Sequence, residues 1–267
     1  MRGIRRAVAS GDLVRLRTGW FAIASHDPTV ADAVRAGGAL ACVSALKWHG
    51  LWVPPGYPDT HVRRARTGAG IRPGCAAFGG VRAVVEAVDP APWALACAVR
   101  CMRAEDWVAT CDSYFHLTGT SADDLVAALG RPGPAVRRLL GRTDARSESG
   151  TESIVRLRLL ALGYAVVVQP TVVGVGRVDL RIGKLLLECD GRQYHSDVAA
   201  FAKDRARDRR AVIDGWITMR LTYDDVLFGW DETLQDIRAI TAAGRHRIRG
   251  GRVANALARS LDRADEC

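Results

Sequence analysis

The chain has 267 residues, 48% of them hydrophobic and 25% charged, enough to bury substantial cores and to build two domains. No run of about 18 uninterrupted apolar residues occurs, and the opening MRGIRRAVASGD lacks an apolar signal segment, so no membrane association is expected and a cytoplasmic address follows. The net charge of +9 favours a polyanionic partner, nucleic acid first; the competing reading is a GC-rich coding bias, since lysine stands only at 47, 184 and 203 and the other cations are arginine. The seven cysteines, at 42, 75, 97, 101, 111, 189 and 267, are scattered, odd in number and without a Cys-x-x-Cys pair. Neither a disulfide framework nor a zinc site is expected from that spacing; the thiols read as reduced and mostly buried.

Residues 4–9 (IRRAVA) read as the end of a basic helix stopped at Ser10-Gly11. Residues 13–24 (LVRLRTGWFAIA) then read as a hairpin turning at Thr18-Gly19, with Arg15 and Arg17 on one leg and Trp20 and Phe21 opening the other. A basic helix followed by a basic hairpin is the order of a winged helix, in which the helix reads the major groove and the wing touches phosphate. With VSALKWHGLWVPP at 43–55, this stretch resembles the N-terminal region of AbiEi-type antitoxins. The resemblance implies DNA contacts from Arg15 and Arg17 and a toxin partner. In that family one or two further helices precede the basic helix, so the expectation is either a start upstream of Met1 or a truncated reading unit. The other reading is a small scaffold packed on the next domain. Ser44, Trp48 and His49 are expected in core and turn roles, because no third group is at hand to orient a Ser–His pair.

Residues 61–66 (HVRRAR) predict a basic edge strand, and 81–88 a further strand of the same small sheet. Helical periodicity follows over 92–117, broken at Arg103-Ala104, with Trp93, Leu95, Val99, Trp107 and Val108 as its core. Asp106, Asp112 and His116 on it are expected to be solvated helix-face groups. Two short helices are predicted at 121–129 and 134–140. The polar, small-residue stretch 143–150 (TDARSESG) marks a domain boundary. The resulting organisation is a winged-helix-like region at 1–90, a helical connector at 91–145, a second domain at 146–242 and a basic tail at 243–267.

The second domain opens with Ser149-x-x-Glu152, the pattern of a capping box, before an apolar helical stripe ended by Gly163. Strands are predicted at 164–168, 171–182 and 184–190, a helix capped by Asp197 up to Gly215, a strand at 216–221 and helices over 223–240. Helix, three strands, helix, strand, helix is an α/β sandwich with a mixed sheet. With the N-terminal part, the whole reads as α/β (α+β) in two domains.

The hairpin at 177–190 carries the chemistry. If Gly183 and Lys184 form its turn, Ile182 pairs with Leu185, Leu180 with Leu187, and Asp179 stands opposite Glu188, with Asp190 on the same face. Like charges directly opposite one another destabilise a sheet, so a cation or a shared proton is expected between them, and this face is read as a divalent-metal site.

Five ordered motifs strengthen the reading. They are Glu152-Ser-x-x-Arg156, Gly176-Arg-Val-Asp179-Leu180, Glu188-x-Asp190-Gly-x-x-x-His195, Asp204-x-x-Arg207-Asp208 and Gly215-Trp-x-x-x-Arg220-Leu221. Together they resemble the PD-(D/E)XK nucleases, nearest the Vsr-like (very-short-patch-repair) branch. The resemblance implies Mg²⁺ or Mn²⁺ on Asp179, Glu188 and Glu152, with His195 as general acid or base, and DNA as substrate. Asp190 occupies the place where the broad superfamily has a lysine. The Vsr-like branch lacks that lysine too, which leaves Arg192, Gln193 and Lys203 as candidates for activating water.

On the helix at 198–214, Arg205 and Arg207, with Arg192 before it, are expected to face phosphate, Asp204 to orient His195 or Arg220, and Asp208 to be a solvated salt-bridge partner. The functional expectation is therefore a metal-dependent DNA endonuclease. The alternative is a non-catalytic DNA-binding regulator, the antitoxin of a type IV toxin–antitoxin pair.

Overall fold

The computed structural model describes residues 2–64, 74–78, 83–130, 132–190 and 198–248. Helices and strands are mixed in one α/β chain, which divides into two compact units, Met1–Thr143 and Asp144–Cys267. Among the described residues no helix is long and apolar enough to cross a membrane.

The first unit begins with α1 (Arg2–Ala9) and the antiparallel hairpin of β1 (Leu13–Arg17) and β2 (Trp20–Ile23). Gly19 turns it with φ 79°, a left-handed conformation that glycine adopts without steric cost. Arg17 folds over the Trp20 ring, 4.9 Å from its centroid. Next come α2 (Pro28–Arg35), β3 (Gly38–Leu40), α3 (Cys42–Trp48) and β4 (Val62–Arg64), with β3 and β4 antiparallel. The Asp27 carboxylate caps α2 by accepting from the Thr29 and Val30 amides, and Pro28 takes the first-turn position, where no amide proton is needed.

The strand expected at 81–88 is reduced, within the described residues, to a single parallel bridge from Val88 to Leu40; residues 83–85 form no strand. Four helices complete the unit: α4 (Ala91–Ala98), α5 (Ala104–Thr118), α6 (Ala122–Leu129) and α7 (Pro134–Leu140). Asp106 and Asp112 are not solvated as expected. α5 is buried around much of its circumference by Trp107, Val108, Ala109, Thr110 and Cys111, so it has no continuous water-facing side where they stand. Asp106 accepts from Tyr57 Oη at 2.6 Å and Arg103 Nε at 2.8 Å; only His116 of the three is exposed.

The second unit is built on α8 (Gly150–Ala161), β5 (Val166–Val168), β6 (Thr171–Val172), β7 (Gly176–Arg177), β8 (Leu180–Ile182), β9 (Leu185–Cys189), α9 (Val198–Asp214), β10 (Ile217–Leu221), α10 (Tyr223–Leu227) and α11 (Trp230–Thr241). A four-stranded mixed sheet runs β10-β9-β8-β5, with β10 parallel to β9 and the other pairs antiparallel. The strand expected over 171–182 is interrupted: Gly174 and Gly176, both at positive φ, turn β6 and β7 into a separate hairpin before β8 begins. Val172, Val175, Val178 and Leu186 pack with Ala211 of α9 and Trp216, so the Leu186 face of the sheet is the one α9 covers. At the β8–β9 turn Gly183 has φ 57°, and a Cβ there would collide with the His246 carbonyl.

Inside the first unit, Arg63 and Asp89, 5% and 2% exposed, form a two-pronged ion pair with both N–O distances 2.6 Å. Removing one partner leaves the other charge buried, so Asp89→Ala is expected to cost about 3–5 kcal/mol in guanidinium unfolding. A loss below about 1 kcal/mol would show that solvent reaches Arg63 after all.

Candidate functional site

The β8–β9 ladder has the expected register, Ile182 with Leu185, Arg181 with Leu186 and Leu180 with Leu187. Asp179, one residue before β8, and Glu188 therefore fall on the Leu186 face, beneath α9. Asp179 Oδ2 accepts from the Cys189 amide at 2.7 Å, which ties the start of β8 to the end of β9.

Glu152 arrives from the first turn of α8. Ser149 caps that helix by accepting from the Glu152 amide at 3.2 Å, but the reciprocal half of a capping box is not formed. The Glu152 carboxylate instead accepts from the Glu148 amide at 3.1 Å and from Gln169 Nε2 at 2.8 Å. The same amide nitrogen lies 3.3 Å from Asp179 Oδ1, so Gln169 bridges two carboxylates. Gln169 is held at φ 50°, uncommon for a residue with a side chain, and its Oε1 is buried without a hydrogen-bond partner.

Glu188 is balanced from α9. Arg207 Nη2 stands 3.0 Å from Glu188 Oε1 and also donates to the Arg177 carbonyl, while its Nε donates to the Val175 carbonyl. Arg220 sits beside Glu188 in the β10–β9 register and pairs with Asp208 at 3.1 Å. Asp208 is thus a salt-bridge partner, as expected, though across to the sheet and not along its own helix. Asp190 is half-buried, and its amide donates to the Leu221 carbonyl.

Electrostatics follow from this crowding. Burial pushes Glu152 up from its ordinary 4.5 to about 7, with repulsion from Asp179 adding to the effect. Glu188 is also raised to about 7 by burial and then by Asp179, although Arg207 and Arg220 pull it down. Asp179 is raised by burial against the bonds from Cys189 and Gln169. Three acids that resist ionisation share one place.

The donor atoms are hard oxygens, which suit Mg²⁺ or Mn²⁺, and the orphaned Gln169 Oε1 offers a further one beside them. The carboxylates are not drawn into a tight set. Among the described residues the only three or more acidic, His or Cys ligand atoms all within 4.8 Å of one another belong to Cys42, His61, Cys75 and Cys101 in the first unit. A cation between Asp179, Glu188 and Glu152 would have to close them around itself.

The remaining expected site residues divide. Arg205 is exposed on α9 and Arg15 exposed on β1, whereas Arg207 is committed to Glu188. Arg192, Gln193 and His195, and the side chains of Lys203 and Asp204, lie outside the described residues. Sequence reading passed over Gln169, whose role depends on a left-handed backbone that no motif announces. It also passed over the Cys/His group, whose members are spread from 42 to 101 without ligand spacing. Comparisons with protein-family models, with curated proteins and with solved structures found no match.

A raised carboxyl pKa has a definite stability signature. Below about pH 4.5 these groups are protonated folded or unfolded; between there and about 7 the unfolded chain releases protons the folded chain keeps, and stability falls as pH rises. In metal-free protein the melting temperature of Glu152→Gln, minus that of the wild type, is therefore expected to grow between about pH 5 and pH 8. A difference that shrinks or stays flat over that window would contradict the burial of an acid here.

Proposed function

We propose that the second unit is a metal-dependent endonuclease domain of the PD-(D/E)XK type, nearest the Vsr-like branch, acting on DNA. The observation that carries this is the convergence of Glu152, Asp179 and Glu188, from α8, the start of β8 and β9: Gln169 bridges the first two, and Asp179 repels Glu188. The mixed sheet, with α8 before its three antiparallel strands and α9 leading to a parallel fourth, supports the same reading. Burying three acids together lowers stability unless something positive is bound there, which favours a binding role over a structural one.

In this reading Asp179 and Glu188 hold a divalent cation, with Glu152 beside them. Such an ion supplies charge neutralisation at the phosphate, activation of water and stabilisation of the leaving oxygen. Gln169 sets the spacing of Glu152 and Asp179, and Arg207 fixes the Glu188 carboxylate while tying α9 to β7. Without a cation, burial and repulsion from Asp179 hold Glu152 and Glu188 near 7, and a bound cation would favour their ionised forms. His195 is the acid–base candidate from the sequence motif. The helix and hairpin of the first unit, with Arg15 exposed, would contact DNA backbone as the antitoxin-like resemblance implies, and a cytoplasmic setting follows from the substrate.

One observation favours a second reading, a DNA-binding regulator or antitoxin that keeps the fold without cutting. Asp190 stands where a lysine would assist water, and Arg207 is committed to Glu188 and so does not take that part.

Purified protein is expected to nick or cut duplex DNA with Mg²⁺ or Mn²⁺ and to lose the activity in Asp179→Ala. Gln169→Ala should weaken the affinity for the metal by about 10- to 100-fold, the range for residues that orient ligands. Inactivity across linear, supercoiled and mismatched DNA, alongside salt-sensitive binding to its own promoter, would support the regulator instead.

A further inference from the structure

Four ligand-bearing side chains of the first unit meet at one point. Cys42 opens α3, His61 precedes β4, Cys75 lies on the segment 74–78, and Cys101 follows the end of α4. Their sulfur and imidazole nitrogen atoms all lie within 4.8 Å of one another. His61 Nδ1 is 3.2 Å from Cys75 Sγ, and Cys75 Sγ is 4.0 Å from Cys101 Sγ. All three thiols are free.

The backbone is arranged to present them. His61 is clamped on both sides, its amide donating to Ser44 Oγ at 2.9 Å and its carbonyl accepting from the Ala41 amide at 2.9 Å. Cys75 is fixed by its amide donating to the Val62 carbonyl at 2.9 Å. The residue before it must be glycine, because a Cβ on Gly74 would sit 2.7 Å from that same carbonyl oxygen. Cys42 is held at φ 52°, a strained conformation for a residue with a side chain, at full burial. Hydrophobic packing alone gives no reason to bring three sulfurs and a ring nitrogen to one point from four separate segments.

We propose that Cys42, His61, Cys75 and Cys101 bind one zinc ion. Tetrahedral zinc, with Zn–S at about 2.3 Å and Zn–N at about 2.0–2.1 Å, places sulfurs about 3.8 Å apart and sulfur and nitrogen about 3.6 Å apart. The Cys75 and Cys101 sulfurs, 4.0 Å apart, are close to the first edge, and the His61–Cys75 pair, at 3.2 Å, would open slightly around the ion. Soft thiolates with one imidazole select zinc over the hard cations suited to the carboxylate site. Four protein ligands leave no open coordination position, so the ion is structural. It staples the start of α3, the β3–β4 edge and the end of α4 next to an open cleft of about 400 Å³ lined by Asp59, Thr60, Arg64 and three of the ligands.

The test uses the full chain, prepared under reducing conditions, loaded with ZnCl₂, desalted and analysed by elemental mass spectrometry, then exchanged with Co²⁺ for visible absorption. One zinc per chain is expected, together with thiolate-to-cobalt charge transfer and the d–d bands of a tetrahedral site. Cys101→Ser, at an exposed position outside the core, should lose the ion, while Cys189→Ser in the other unit keeps it. The wild-type stoichiometry and cobalt spectrum decide the matter even if a variant fails to fold. Zinc well below one per chain, a cobalt spectrum without thiolate bands, a Cys75–Cys101 disulfide in place of the metal, or full zinc retention in folded Cys101→Ser would each overturn the proposal.

Discussion

Two carboxylates that would repel each other in any sheet, Asp179 and Glu188, are placed side by side by a two-residue turn, and a third, Glu152, is brought to them by a helix start. Much of the second unit's local detail answers that constraint. Gln169 abandons ordinary backbone geometry to donate to two of the acids, the Cys189 amide donates to Asp179, and Arg207 reaches from α9 to Glu188. These contacts reduce the cost of buried like charge without removing it, as the two glutamates raised to about 7 indicate. Retained protons or the proposed cation would supply the remaining compensation, and a divalent cation there would suit the proposed phosphodiester hydrolysis.

Arg207 is the most informative side chain in that arrangement. Its guanidinium holds the β6–β7 turn through the Val175 carbonyl, β7 through the Arg177 carbonyl, and Glu188 through a carboxylate oxygen, so a residue expected to meet phosphate is part of the acidic site itself. Because its planar group serves three acceptors in fixed directions, lysine would not replace it. Arg205 and Arg15, the other arginines read as phosphate contacts, are exposed.

The elements that were legible in the sequence are those set by periodicity and turn chemistry. The β8–β9 register follows from Gly183-Lys184 and alternation, and α9 runs from Val198 to Asp214, where the polar–apolar pattern and Gly215 put it. The break of 171–182 into a hairpin and a separate strand depends on two glycines at positive φ, which in sequence read as minor flaws in one strand. Asp106 and Asp112 looked solvated because helix-face acids usually are; α5 is enclosed by other helices, a fact of tertiary packing. The Cys/His group was invisible for a related reason. Metal-ligand spacing is recognisable when ligands share one loop or helix, and here four segments contribute one each.

The central claim is that the acids of the second unit hold a divalent cation. A crystal structure of the chain soaked in Mn²⁺, with anomalous scattering measured at the manganese edge, tests it most directly. The account predicts an anomalous peak coordinated by Asp179 and Glu188, with Glu152 drawn towards it. No peak there at saturating Mn²⁺, with Gln169 still bridging Glu152 and Asp179, would contradict it.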